Sequence, residues 1–243
     1  MLFPTAIHGQ GRTLNIVYTG GVNGELEPCG CSPKTDLGGV ARRTGYLTEH
    51  EKTLSPYILI DAGNFLDKDT PQGRLKAEAM LKAFSIMKYD AVAFLKREKE
   101  FSNSFLSRVL KKYKIPVISD MPQYRQSVSI KRDTFHVNVS ADPMNHQKGR
   151  LNVLLTDHSI SEIKHLKGWD VIILSSGEIL EKPLKANGTI IVSGYPKGER
   201  LGILTLQIDS GGEVLEFKHR WQNLGKDIKE DINVRKALKD YDV

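Results

Sequence analysis

The chain has 243 residues, 40% hydrophobic and 26% charged, with a net charge of +6. That is ordinary for a globular protein and long enough to bury one substantial core. No apolar run approaches the roughly 20 residues that span a membrane. The Lys and Arg are dispersed, with small clusters at Lys96-Arg97 and Lys111-Lys112, which argues against a nucleic-acid groove.

Residues 1–13 read as a flexible lead-in, and their opening, MLFPTAIHGQGR, lacks the basic and apolar regions of an intact signal peptide. Residues 14–19 are apolar and β-branched and predict a strand. Gly20, Gly21 and Gly24 then allow a sharp turn. Residues 37–51 predict a helix with Val40, Ala41, Thr44 and Leu47 on one face. A short strand follows at 57–61, a helix at 74–88, a strand at 90–95, a helix at 105–113 and a strand at 116–119. This alternation predicts a largely parallel sheet.

The pattern then changes. Residues 127–131 and 134–139 predict a hairpin, and 151–155, 171–174 and 189–192 predict further strands, with a short helix at 160–167. Asp209-Ser-Gly-Gly212 predicts a hairpin turn between strands at 202–208 and 213–219. Residues 227–241 predict a charged helix with Ile228, Ile232, Val234 and Leu238 as its apolar side. A run of βα units followed by an antiparallel-rich sheet predicts two packed sheets with helices outside. There are no solenoid repeats and no low-complexity tract.

The turns line up with one family. YTGGVNGELEPCGC, LGGVARR, DAGNFLD, YDAVAF, WDVIIL and NGTIIVSGYPKGERLG, in that order, resemble the calcineurin-like metallophosphoesterases, specifically the secreted 5′-nucleotidase branch, over residues 14–241. The resemblance implies an α/β four-layer sandwich: two mixed β-sheets packed face to face and flanked by helices. It implies a single domain over residues 14–224 and a C-terminal helix at 225–243 that would lead to a further module. It also implies an extracytoplasmic location.

The family's chemistry uses two metal ions about 3.5–4 Å apart, held by loops that follow the strands. Each loop is altered here. Where the family has Asp-x-His, this chain has Gly21 and Asn23; where it has Gly-Asp, it has Gly63-Asn64. Gly-Asn-His-Glu becomes Leu95-Lys96-Arg97-Glu98. The next histidine is matched by His158 only with a one-residue shift, and Gly-His-x-His becomes Ser175-Ser176-Gly177-Glu178. The bridging carboxylate and nearly every imidazole are gone, and Lys96 and Arg97 bring positive charge where metal charge would sit. The expectation is the fold without the reaction, with no catalytic residue and no cofactor.

Two readings of Lys96-Arg97 stand open. They pair with Asp61, Glu98 or Glu178, or they clamp a small anion together with Asn23 and Asn64.

The Glu27-Pro28-Cys29-Gly30-Cys31 stretch resembles a subset of secreted relatives, some of them joined to multihaem cytochrome modules. That likeness suggests an extracytoplasmic, cytochrome-containing assembly as partner. With no Cys-x-x-Cys-His, this chain carries no c-type haem of its own. Cys29 and Cys31 admit a strained disulfide staple, a redox-active pair, or two thiolate ligands for a soft metal. The remaining histidines fall in no ligand motif, and there is no nucleophile elbow or Walker loop.

Three functions follow, in order. The first is a non-hydrolytic binding or interaction module. The second is a redox or thiolate-metal protein using the cysteine pair. The third is a phosphoester hydrolase with a rebuilt metal site.

Overall fold

The computed structural model describes residues 11–28, 36–175, 177–239 and 241. The first half alternates as the sequence predicts: β1 (Arg12–Thr19), α1 (Val40–Leu54), β2 (Tyr57–Asp61), α2 (Pro71–Met87), β3 (Ala91–Phe94), the one-turn α3 (Lys96–Lys99), α4 (Asn103–Tyr113) and β4 (Val117–Ser119). The helix predicted from residue 37 starts at Val40, because Gly38 and Gly39 take φ of 93° and 90°. A Cβ on Gly39 would sit 2.9 Å from the Pro28 ring, so only glycine brings the two segments this close. α2 starts earlier than predicted: Thr70 Oγ1 accepts the Gly73 amide at 3.0 Å, and Pro71 occupies the first helical position.

The second half holds β5 (Ser127–Arg132), β6 (Phe135–Ser140), β7 (Leu151–Thr156), α5 (Ile160–Ile163), β8 (Val171–Leu174), β9 (Leu184–Ala186) and β10 (Thr189–Ser193). A 3₁₀ turn at Pro196–Gly198 leads to β11 (Arg200–Ile208), β12 (Val214–Asn223) and α6 (Ile232–Lys239). The strands form two six-stranded sheets, ordered β12-β11-β1-β2-β3-β4 and β5-β6-β7-β8-β10-β9.

The expectation of an antiparallel-rich second sheet is corrected. β6, β7, β8 and β10 run parallel, and only the edge strands β5 and β9 are antiparallel. β7, β8 and β10 are buried along their whole length, which is how a strand covered on both faces reads. The β11–β12 hairpin belongs to the first sheet, where β11 pairs antiparallel with β1 from Arg12↔Ile208 to Tyr18↔Gly202. The C-terminal helix begins at Ile232, later than predicted, because Asp231 caps it by accepting the Asn233 and Val234 amides. Ile232 is exposed, while Val234 and Leu238 enter the core that α1 and α2 cover.

One apolar core fills the space between the sheets, another lies under α1, α2, α4 and α6, and a smaller one lies under α5. At the carboxyl ends of the parallel strands the sheets meet backbone to backbone. A Cβ on Gly194, after β10, would lie 2.5 Å from the Gly20 carbonyl oxygen, after β1. This contact sets the mouth into which the site loops open. No helix among the described residues is long and apolar enough to cross a membrane.

Candidate functional site

The loops after β1, β2, β3, β7 and β8 converge at this mouth, and backbone bonds zip the first two together. The Gly21, Asn23 and Gly24 amides donate to the carbonyls of Gly63, Asn64 and Phe65 at 2.9, 3.1 and 2.8 Å. The Lys197 amide donates to the Gly21 carbonyl at 3.0 Å.

Asn64 stands where the bridging carboxylate of the resemblance would be, with φ of 54°, a conformation that asparagine tolerates better than most residues. Its Nδ2 donates to Ser175 Oγ at 2.8 Å, and its Oδ1 accepts the Arg97 amide at 3.1 Å. One neutral amide therefore ties the loops after β2, β3 and β8 together. A carboxylate there would have no proton to donate to the serine.

Beneath Asn64 the turn is gripped by two buried carboxylates. Asp61 Oδ1 accepts the Gly63 amide at 2.9 Å. Glu98 Oε2 accepts the amides of Asn64 and Leu95, and Oε1 those of Phe65 and Leu66, at 2.9–3.1 Å. Four consecutive amides, 63 to 66, thus end on the chain's own carboxylates. Burial pushes Glu98 up to about 7, with the amides opposing the rise and the neighbouring Asp61 charge adding to it. Burial likewise pushes Asp61 up to about 6, against the Thr19 and Gly63 hydrogen bonds and the Arg43 charge. Arg43 is fully buried. Its Nη1 donates to the Tyr89 hydroxyl at 3.3 Å, the hydroxyl bonds Thr19 Oγ1 at 3.1 Å, and Thr19 donates to Asp61 Oδ2 at 2.6 Å. A cation and an anion are so joined through two hydroxyls, all polarised one way.

The rim differs. Lys96 is exposed and Arg97 half-buried. Neither ion-pairs with Asp61, Glu98 or Glu178 among the described residues, which corrects that expectation: Asp61 and Glu98 are spent on backbone amides and Thr19. Asp157 Oδ2 accepts the Lys96 amide at 3.1 Å. His158, next to it, is more than half exposed, with Nδ1 3.6 Å from Glu162. Glu178 is exposed and lines a cleft of about 100 Å³ with Gly21, Asn23, Ser175, Ile179 and Pro196. Ser176, Cys29 and Cys31 lie outside the described residues. The described residues flanking the cysteines are tied down: Pro28 bridges Gly38, Glu27 takes the Arg235 guanidinium at 2.6 Å, and Asp36 takes Arg42 at 2.8 Å.

Among solved structures, a 5′-nucleotidase precursor from Thermus thermophilus matches with a TM-score of 0.79 and 17% identity, over 95% of this chain and 58% of that one. A Thermus thermophilus sulfate thiohydrolase in complex with glycerol matches at 0.76 and 12%, over 98% of this chain and 61% of that one. A calcineurin-like phosphoesterase from Bacillus subtilis matches at 0.71 and 15%, over 96% and 97%. The fold is that of the 5′-nucleotidases and calcineurin-like phosphoesterases. The chain spans about three fifths of the first two of those chains. No protein-family model matches the sequence, and no curated protein does.

The described residues at this mouth do not fit a pair of divalent metals. Among the described residues, no group of three or more His, Cys, Asp or Glu is placed to hold one. Asn64 has both ends of its amide committed, and the oxygens of Asp61 and Glu98 face N–H and O–H donors. Sequence reasoning missed the roles of Ser175, Asp157, Arg43 and the Glu98 grip. The signal for Glu98 was available, since it is the one position of Gly-Asn-His-Glu that this chain keeps.

Proposed function

We propose that this chain is a non-hydrolytic member of the metallophosphoesterase fold that works as a binding or interaction module. The carrying observation is Asn64: its amide donates to Ser175 and accepts from Arg97 at the place of the bridging carboxylate. A metal there would have to break both bonds. The test is metal content by elemental analysis after incubation with manganese and zinc, with a phosphoesterase assay on the same samples. Substoichiometric metal and no metal-dependent turnover are expected. Two equivalents with turnover would overturn the reading and favour a rebuilt hydrolase site.

A small anion is the ligand class that the rim supports, because Lys96 and Arg97 carry no ion pair among the described residues. Phosphate or sulfate should then raise the melting temperature, and the rise should vanish in Lys96→Ala/Arg97→Ala. We assign the module to an extracytoplasmic assembly on the strength of the resemblance. The redox and thiolate readings of Cys29 and Cys31 rest on the sequence, and thiol titration with a midpoint potential decides between them and a plain staple.

A further inference from the structure

A second constellation lies away from the loops just described, in the row where β1, β11 and β12 lie side by side. Tyr18 pairs across with Gly202, and Gly202 with Trp221. Any Cβ on Gly202 would fall into the Tyr18 ring. A glycine inside a long strand thus clears the space between two aromatic side chains. Tyr18 is fully buried, and its hydroxyl lies 3.0 Å from Nε2 of His219, one turn of the pleat along β12. The Tyr18 and Trp221 ring centroids are 6.0 Å apart, and those of Trp221 and Tyr195 are 5.4 Å apart, edge to face. Tyr195 and Trp221 are partly exposed, so the row leads from the inter-sheet core to the surface.

We propose that Tyr18, His219 and Trp221 form a one-electron relay, in which a neutral tyrosyl radical on Tyr18 is the resting place of an oxidising equivalent delivered at the surface.

Three features make Tyr18 the terminus. First, Tyr18 has a base in place. Burial pushes the Tyr18 phenol up and the His219 imidazole down, and in the tautomer with the imidazole proton on Nδ1 the phenol donates and Nε2 accepts. Second, Trp221 Nε1 is buried without a hydrogen-bond partner among the described residues. No acceptor among them is in place to take a proton from an oxidised Trp221, so it passes the hole on and does not trap it. Third, the Arg200 guanidinium lies 4.2 Å above the Tyr195 ring. A cation on the ring face stabilises the electron-rich ring and disfavours a hole there.

The step balances. A one-electron outer-sphere oxidant at the surface takes an electron from Trp221, and Trp221 takes one from Tyr18. The Tyr18 O–H bond breaks as the proton moves to His219 Nε2. The products are the tyrosyl radical, the imidazolium and the reduced oxidant. A one-electron reductant reverses it, with the proton returning from Nε2.

The test is flash photolysis of the whole chain with tris(bipyridine)ruthenium(II) and a cobalt(III) ammine as sacrificial acceptor, read by freeze-quench electron paramagnetic resonance. The protein has eight tyrosines, so assignment rests on variants. The wild type should give a neutral tyrosyl signal that is lost in Tyr18→Phe. No signal in the wild type, or an unchanged one in Tyr18→Phe, would overturn the proposal. Two half-buried positions keep it falsifiable if that variant fails to fold. Trp221→Phe should slow the appearance of the radical. His219→Gln should slow it and abolish its solvent isotope effect. Unchanged kinetics in either would overturn the relay.

Discussion

The floor and the rim of the mouth were built to different rules. On the floor, Asp61 and Glu98 are buried, each oxygen accepts an N–H or O–H, and Arg43 reaches Asp61 through two hydroxyls. On the rim, Lys96 and Glu178 are exposed, and His158 has only a loose contact with a neighbouring glutamate. The floor shapes the turn that carries Asn64, and the rim faces solvent. The acidic residues of the floor hold backbone, whereas the charged residues of the rim face solvent.

Four measurements break or sharpen that contrast. Glu98→Gln should have the largest effect, a loss of roughly 2–4 kcal/mol in chemical denaturation, because an amide NH₂ would face N–H donors and leave amides of the 64–66 turn and Leu95 unpaired. A loss under about 0.5 kcal/mol, the range of ordinary surface changes, would refute the floor's role.

The pH profile addresses the same residues. Asp61 and Glu98 hold protons more tightly folded than unfolded, with folded values of about 6 and 7. The folded chain then binds more protons across the window above the ordinary carboxylate range, so their contribution is full below about pH 4 and is lost as pH rises through 6 to 7. Denaturation at a series of pH values should show that loss in the wild type and a weaker one in Glu98→Gln; a rise across the window would contradict the assignment.

Asn64→Asp should cost about 1–2 kcal/mol by removing the donor to Ser175 and adding a charge above Glu98. It should also fail to take up manganese in titration calorimetry, since no group of three His, Cys, Asp or Glu is placed to hold a metal among the described residues. Lys96→Ala and Arg97→Ala should each stay within about 0.5 kcal/mol of wild type, the signature of side chains without ion-pair partners among the described residues.

Much of this was legible in the residues. The strands at 57–61 and 171–174 are found where periodicity places them. What escaped depends on contacts far apart in sequence. The parallel order of β6, β7, β8 and β10 is not encoded in any one apolar run, because a fully buried strand looks the same in either direction. The late start of α6 follows from Asp231, whose capping role competes with the charged pattern before it. β9 has three residues, two of them exposed, and carries no pattern to find. The grip of Glu98 joins residues more than thirty positions apart, and nothing local marks a glutamate as the acceptor of four amides.

The pairing of β1 with β11 has a consequence for the order of assembly. Arg12 meets Ile208 across almost the full length of the chain. During synthesis β1 emerges first, yet its outer edge has no partner until β11 arrives. β2 joins the other edge far sooner. Pairings across such sequence separations are slow to form, and an unpaired strand edge invites association with other chains. Between the synthesis of β1 and that of β11 the sheet therefore carries an open edge, and the β11–β12 hairpin is what closes it.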